Sequence, residues 1–239
     1  MAQYDAKMRT LILIPAYNEA DSLPELLEEI RSLEAGHEIL VVDDASTDGS
    51  GELLPGLGVR YLQLSQHLGV GGSIRAGLRW SRIQGFETVL RMDGDGQHDP
   101  GDIRRLLEAL KNHDTEAVVG SRYRGTGGYR SPGGLRLAQR VLARGLSLLT
   151  HSRITDPTSG FWAWGPEALR LLSDHYPRGY SEPELYLFLS RNHLRINEVS
   201  VGMRPRRGGR SSLSAGRMLL ALGRTMLAII IVPFRREAS

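Results

Sequence analysis

The chain has no cysteine, which excludes disulfides and thiolate metal sites and leaves its compartment open on redox grounds, although a cytosolic location fits. Lysine is almost missing: only Lys7 and Lys111 contribute to the 30 basic residues, and the rest are arginine. No uninterrupted apolar stretch approaches the roughly 20 residues that a membrane-spanning helix needs. Met1 to Thr10 is polar and the apolar run after it is very short, so no secretory signal peptide is expected. Internal repeats are absent, as is any linker that would set off a second globular domain. Gly69-Val70-Gly71-Gly72 lacks the Lys-Ser/Thr of a P-loop and does not complete Gly-x-Gly-x-x-Gly, so it reads as a tight helix entry.

What remains is one domain's worth of ordinary material. The chain's 239 residues suffice for a single α/β core, and 41% hydrophobic with 24% charged residues is usual for a globular protein. The isoelectric point near 9.4 raises the question of nucleic acid, but a formal net charge of +3 is small and no nucleic-acid partner is expected. The charge is uneven. From Arg204 onward, arginines including Arg217, Arg224, Arg235 and Arg236 meet only Glu237, and they interleave with Met218-Leu219-Leu220 and Leu227 to Val232. This pattern predicts a domain over residues 1–215 and a basic amphipathic helical segment over 216–239 that faces a membrane surface or a membrane partner without crossing.

Periodicity predicts strands at 11–15, 38–43, 59–63, 87–92 and 116–121, alternating with helices at 22–33, 47–54, 70–84 and 101–111. That alternation implies a mainly parallel sheet flanked by helices. Glycine-rich residues 124–134 read as a lid or surface loop. Helical spacing resumes at Leu135, Leu142, Leu146 and Leu149, Leu185 to Leu194 reads as another helix, and Ile196 to Met203 as a final strand.

Polar residues gather where the predicted strands end, the edge at which open α/β sheets bind ligands. The first strand runs into Pro15-Ala16-Tyr17-Asn18-Glu19, the second into Asp43-Asp44-Ala45-Ser46-Thr47-Asp48-Gly49-Ser50, and a later one into Asp93-Gly94-Asp95-Gly96-Gln97-His98-Asp99-Pro100. Continued strand alternation would turn Asp93 and Asp95 to one side. Two carboxylates and the Gln97 amide oxygen form an all-oxygen set suited to Mg²⁺ or Mn²⁺, and Gly94 leaves room for close approach.

These three motifs, together with Gly120-Ser121-Arg122-Tyr123, Asp156-Pro157-Thr158-Ser159-Gly160-Phe161 and Arg206-Arg207-Gly208-Gly209-Arg210-Ser211-Ser212, resemble the ordered signatures of family 2 glycosyltransferases. The set is most similar to the dolichyl-phosphate (polyprenyl-phosphate) mannose synthase branch and covers roughly residues 9 to 215. The resemblance implies a GT-A-like fold and an inverting, metal-dependent transfer from a nucleotide-diphosphate sugar to a polyprenyl phosphate. Such an enzyme would be cytoplasmic and peripheral at the inner face of the membrane. The resemblance also implies a nucleotide site at Pro15, Tyr17, Glu19, Val42, Asp44, Asp93 and Gly94, and metal ligands at Asp93, Asp95 and Gln97. Arg122 and Arg206 would pair with phosphate oxygens. Asp156 would orient the donor sugar or act as a base, and an Asx-type turn is the structural alternative.

Glu182 and Glu184 are rival bases, and Trp162 and Trp164 either stack on substrate or fill the core. Departures from the family pattern fall on the acceptor side. Ala143-Arg144-Gly145-Leu146-Ser147 replaces Ser-Arg-Gly-Ala-Asn, and Ser212 stands where a lysine is usual; Arg136, Arg140 and Arg144 are alternative phosphate binders. Three rival readings stand beside this one: a transferase extending a lipid-linked or polysaccharide sugar, a sugar-phosphate nucleotidyltransferase, and a non-catalytic lipid- or partner-binding subunit. The nucleotidyltransferase would need an N-terminal Gly-rich loop with a lysine, which is lacking.

Overall fold

The computed structural model describes residues 9–34, 36–112, 115–125, 133–177 and 181–205. Arg206, Ser212, most of the 124–134 loop and the basic segment 216–239 lie outside these residues. Within them the chain runs β1 (Thr10–Ala16), α1 (Leu23–Leu33), β2 (Glu38–Asp43), α2 (Ser50–Leu53), β3 (Arg60–Gln63), α3 (Val70–Ile83), β4 (Thr88–Arg91), α4 (Ile103–Asn112) and β5 (Ala117–Ser121). It continues through α5 (Gly133–Thr150), β6 (Trp162–Trp164), α6 (Pro166–His175), α7 (Ser181–Arg191) and β7 (Ile196–Ser200). One-turn 3₁₀ segments at Leu54–Gly56 and Pro100–Asp102 adjoin α2 and α4, whereas residues 47–49 of the predicted helix 47–54 stay outside it, with Gly49 left-handed at φ 92°.

The strands form one sheet in the order β3-β2-β1-β4-β6-β5-β7. β1 lies between β2 and β4, parallel to both. Its Leu11-Ile12-Leu13-Ile14 run is apolar on both faces because helices cover both. Leu11 and Leu13 pack with Ile74 and Leu78 of α3, while Ile12 and Ile14 pack with Leu26 and Ile30 of α1 and Leu106 of α4. Helix α3 comes so near β1 that a Cβ on Gly77 would overlap Leu13 Cδ1.

β6 and α6 are elements that periodicity did not anticipate, and β6 matters more for the site. Trp162-Ala163-Trp164 wedges antiparallel between β4 and β5, with Trp162 opposite both Arg91 and Val119. Both tryptophans are fully buried, and Trp162 donates Nε1–H to Ser159 O at 2.8 Å. They therefore fill the core, which decides against the alternative of stacking on a ligand. Because β6 runs against its neighbours, its beginning lies at the sheet edge where β4 and β5 end. The Asp156–Phe161 loop is thereby delivered to the carboxyl-end face.

Candidate active site

At the end of β1 the chain turns sharply, with Asn18 in the left-handed region at φ 57°. The turn is tied to the β2 motif by hydrogen bonds that cross between them. Asn18 N donates to Ser46 Oγ, Glu19 N to Ser50 Oγ and Ala20 N to Asp48, while Thr47 N donates to Asn18 Oδ1. Buried Asp44 accepts from Leu68 N at 2.8 Å and lies 2.9 Å from His67 Nδ1. The His67 ring sits 4.1 Å from that of half-exposed Tyr17. Pro15 and Val42 face each other in register, and the Val42 side chain is in the core, so only its backbone is available to a ligand.

Ser22 joins this corner to the acidic turn. Its Oγ lies 2.9 Å from the Glu19 carboxylate and 2.8 Å from Gly94 O. It occupies the N-cap position of α1 without making a side-chain capping bond there.

β4 stops at Arg91, so Asp93 and Asp95 lie in a turn beyond the strand. Alternation nonetheless persists: Asp93, Asp95, Gln97 and Asp99 are partly exposed, whereas Gly94, Gly96, His98 and Pro100 are buried. Asp95 Oδ1 accepts Gln97 N–H at 3.0 Å, fixing the turn. Among the described residues no three His, Cys, Asp or Glu side chains converge as a protein-only cation cage. The exposed row of oxygens nevertheless fits a hard divalent cation that takes one or two carboxylates and completes its shell from phosphate oxygens.

Arg91 was not foreseen. It is almost fully buried, and its guanidinium donates to Glu182 Oε1 at 3.0 Å and Asp93 Oδ1 at 3.2 Å. Burial would raise the Asp93 pKa, but the Arg91 charge outweighs it and, with His98, holds this carboxyl well below the usual range. His98 Nε2 lies 3.3 Å from Asp93 Oδ2, and its ring packs 4.8 Å from Phe161. The available signal for Arg91 was a charge at the end of the short strand Thr88-Val89-Leu90-Arg91.

On the opposite side, Asp156 is completely buried and bound by the Arg122 fork, Nε to Oδ2 at 2.6 Å and Nη2 to Oδ1 at 2.7 Å. The Asx geometry is present as well, with Thr158 N 3.4 Å from Asp156 Oδ1. Gly160 then passes so close to Asp93 that a Cβ there would lie 2.5 Å from Oδ2. A second unforeseen carboxylate, Glu198 on β7, accepts from Thr155 N, Thr155 Oγ1, Asp156 N and Tyr186 Oη at 2.6–3.2 Å. Burial, reinforced by the Glu198 charge, raises the Tyr186 pKa, so its phenol stays a donor.

The segment after β7 closes the ring. Arg204 N donates to Gln97 O at 2.8 Å, and the Arg204 guanidinium pairs with Glu29 and Asp99. The structure thus brings together Tyr17, Glu19, Asp44, Asp93, Gly94, Asp95, Gln97, Arg122 and Asp156 at one edge. Glu182 joins them through Arg91. Arg206 lies outside the described residues.

Known proteins resemble this chain in sequence and in fold. The family model "Glycosyl transferase family 2" matches residues 11–169. An undecaprenyl-phosphate mannosyltransferase of Micrococcus luteus is 33% identical over 225 residues, covering 87% of this chain and 89% of the relative. A polyprenol monophosphomannose synthase of Mycolicibacterium smegmatis is 31% identical over 224 residues, covering 90% and 84%. The fold is also that of glucosyl-3-phosphoglycerate synthase from Mycobacterium tuberculosis, solved with Mn²⁺, UDP and glucosyl-3-phosphoglycerate. That match has a TM-score of 0.71 at 23% identity over 95% of this chain and 80% of the other. The chain is a GT-A-fold glycosyltransferase that belongs to family 2 and is similar there to an undecaprenyl-phosphate mannosyltransferase and a polyprenol monophosphomannose synthase.

Proposed function

We propose that the protein transfers a sugar, mannose being the first candidate, from a nucleoside diphosphate to a polyprenyl phosphate at the cytoplasmic membrane face, with inversion at the anomeric carbon. The observation that carries this reading is the antiparallel insertion of β6, which sets the Arg122–Asp156 pair opposite the Asp93–Asp95 turn across one sheet edge. Nucleotide and diphosphate would lie along the Tyr17–Asp44–Asp93 side, and the acceptor would enter beside Arg122.

Asp93, Asp95 and Gln97 would hold Mg²⁺ or Mn²⁺, which would offset the charge that develops on the departing diphosphate. Arg122 adds fixed positive charge, and Asp156 holds its fork in one orientation. Arg91, with His98, favours the ionised form of Asp93. Both Asp156 oxygens are taken up by Arg122, so this carboxylate is placed to position the arginine rather than to accept a proton. Glu182 gives one oxygen, Oε1, to Arg91 at 3.0 Å. An acceptor already ionised at neutral pH needs no base, and this favours a phosphate over a sugar hydroxyl.

A panel of nucleotide sugars with Mn²⁺ or Mg²⁺, scored for transfer to a short polyprenyl phosphate, tests the reading. Transfer is expected to vanish in excess chelator and in Asp95→Ala, which should still fold, as a cooperative melting curve would show. Transfer to free sugar hydroxyls alone would establish the chain-extending reading instead, and full activity in chelator would remove the metal.

A further inference from the structure

The sheet ends at β7, whose outer edge the active site leaves unused. Arg195 O and Val201 N–H bond toward β5. Alternation therefore turns the backbone groups of Ile196, Glu198 and Ser200 outward, where the sheet has no further strand. Two of these outward carbonyls are met by arginines. Arg105 of α4 donates Nη1–H to Ser200 O at 2.8 Å, and exposed Arg124 reaches Glu198 O and, at 3.3 Å, Asn197 Oδ1. Together with Arg195 they wall a groove of about 690 Å³ that follows β7 from Ile196 to Ser200. The cations share one face of the strand. Arg195, Asn197 and Val199 alternate onto the same side, and Val199 packs in the cluster that holds Leu106 of α4.

Arg105 is paired with Asp102 and Arg195 with Glu116, whereas no carboxylate pairs with Arg124 among the described residues. Glu198, the strand's own acid, is buried and turned inward to Thr155 and Asp156. An open edge takes up a further strand, and the cations along it set which one. We propose that β7 binds an extended acidic segment of a partner protein as an added strand, its carboxylates at alternate positions facing Arg105, Arg124 and Arg195. The segment's N–H groups replace the guanidinium groups at Ser200 O and Glu198 O, and the released arginines turn to its carboxylates. Charge complementarity selects this occupant. A second copy pairing through its own β7 would set arginines against arginines, and residues 206–239 of the chain itself carry seven arginines against Glu237 alone. Because β7 also bears Glu198, the added strand braces the support of Asp156 from outside.

A short fluorescein-labelled peptide of alternating glutamate and valine tests this on the full chain by anisotropy. It should bind, and the same peptide with lysine in place of glutamate should not. Amide hydrogen exchange at residues 196–200 should slow when the peptide is added, while β3 at the other sheet edge should not respond. Methylating the peptide's backbone nitrogens at one of the two alternating sets of positions should remove binding, because those N–H groups are the donors to β7. The combined Arg124→Gln and Arg195→Gln chain, altered at two exposed side chains, should bind the peptide about fivefold more weakly. It should still melt cooperatively.

A peptide that fails to bind would overturn the proposal, as would unaltered binding by the double variant. Binding that survives both methylated peptides, or that leaves exchange at residues 196–200 unchanged, would mean charge attraction without an added strand and would overturn it too. Slow exchange at residues 196–200 before any peptide is present would overturn it in favour of a second copy or the chain's own tail, which sedimentation tells apart.

Discussion

Two carboxylates govern the site at the level of single residues. Glu198 accepts hydrogen bonds from Thr155, Asp156 and Tyr186 and so fixes the backbone from which Asp156 grips Arg122. Glu198→Gln keeps the size but turns an amide N–H toward donors. It should cost about 1–3 kcal/mol of stability and about 10–100-fold in kcat, as losses of supporting contacts typically do. Steady-state kinetics beside a urea titration checks both, and an unchanged kcat would show that Arg122 needs no such support. Asp93 supplies a pH test. Its pKa is lowered in the folded protein, so its contribution to stability is complete above the unfolded value of about 3.9 and declines as pH falls below it toward the folded one. Melting temperatures measured between pH 7 and 2.5 should fall below about pH 4 in the parent. Asp93→Asn should lack that part of the decline.

At the level of elements, β6 does most to assemble the site. A three-residue strand carries almost no periodicity, and Trp-Ala-Trp reads equally well as core filler or as a sugar platform. Its position follows from pairing with β4 and β5, partners far away in the chain. The loop that enters it must pass Asp93 at Gly160, where there is no space for a side chain. Gly160→Ala should therefore push the Asp93 carboxylate aside. Transfer should fall by at least about tenfold and the apparent metal requirement should rise, a small displacement at a catalytic group being this costly. A metal titration of the variant with parent-like activity would mean that Asp93 tolerates displacement.

For the whole molecule, three strand ends, the start of β6 and the segment after β7 close around one edge, so a ligand there braces much of the sheet. A nucleoside diphosphate at 100 times its dissociation constant adds about 2.7 kcal/mol to folding. For a chain of this size that corresponds to a rise of roughly 5–10 °C in melting temperature. The rise should require Mn²⁺ or Mg²⁺. Thermal denaturation with UDP or GDP, each with and without the cation, measures it. Equal stabilisation by nucleotide alone would separate nucleotide binding from the acidic turn.

Much of this was legible along the chain. The apolar runs at Leu11–Ile14 and Ile39–Val42 and the helix spacing of Leu23, Leu26, Leu27 and Ile30 define a βα repeat by local periodicity alone. The polar residues that end those strands mark the ligand edge for the same reason, since a parallel sheet gathers its carboxyl ends on one side. Three features were decided only in three dimensions. The antiparallel β6, the Arg91 bridge from β4 to Glu182 on α7, and the Glu198 support beneath Asp156 each join residues that lie tens of positions apart. A single buried charge or a three-residue strand has no repeating pattern to reveal it. What holds such residues in place is the cost of leaving a buried polar group unpaired, and the partner that removes this cost is fixed only when the sheet closes.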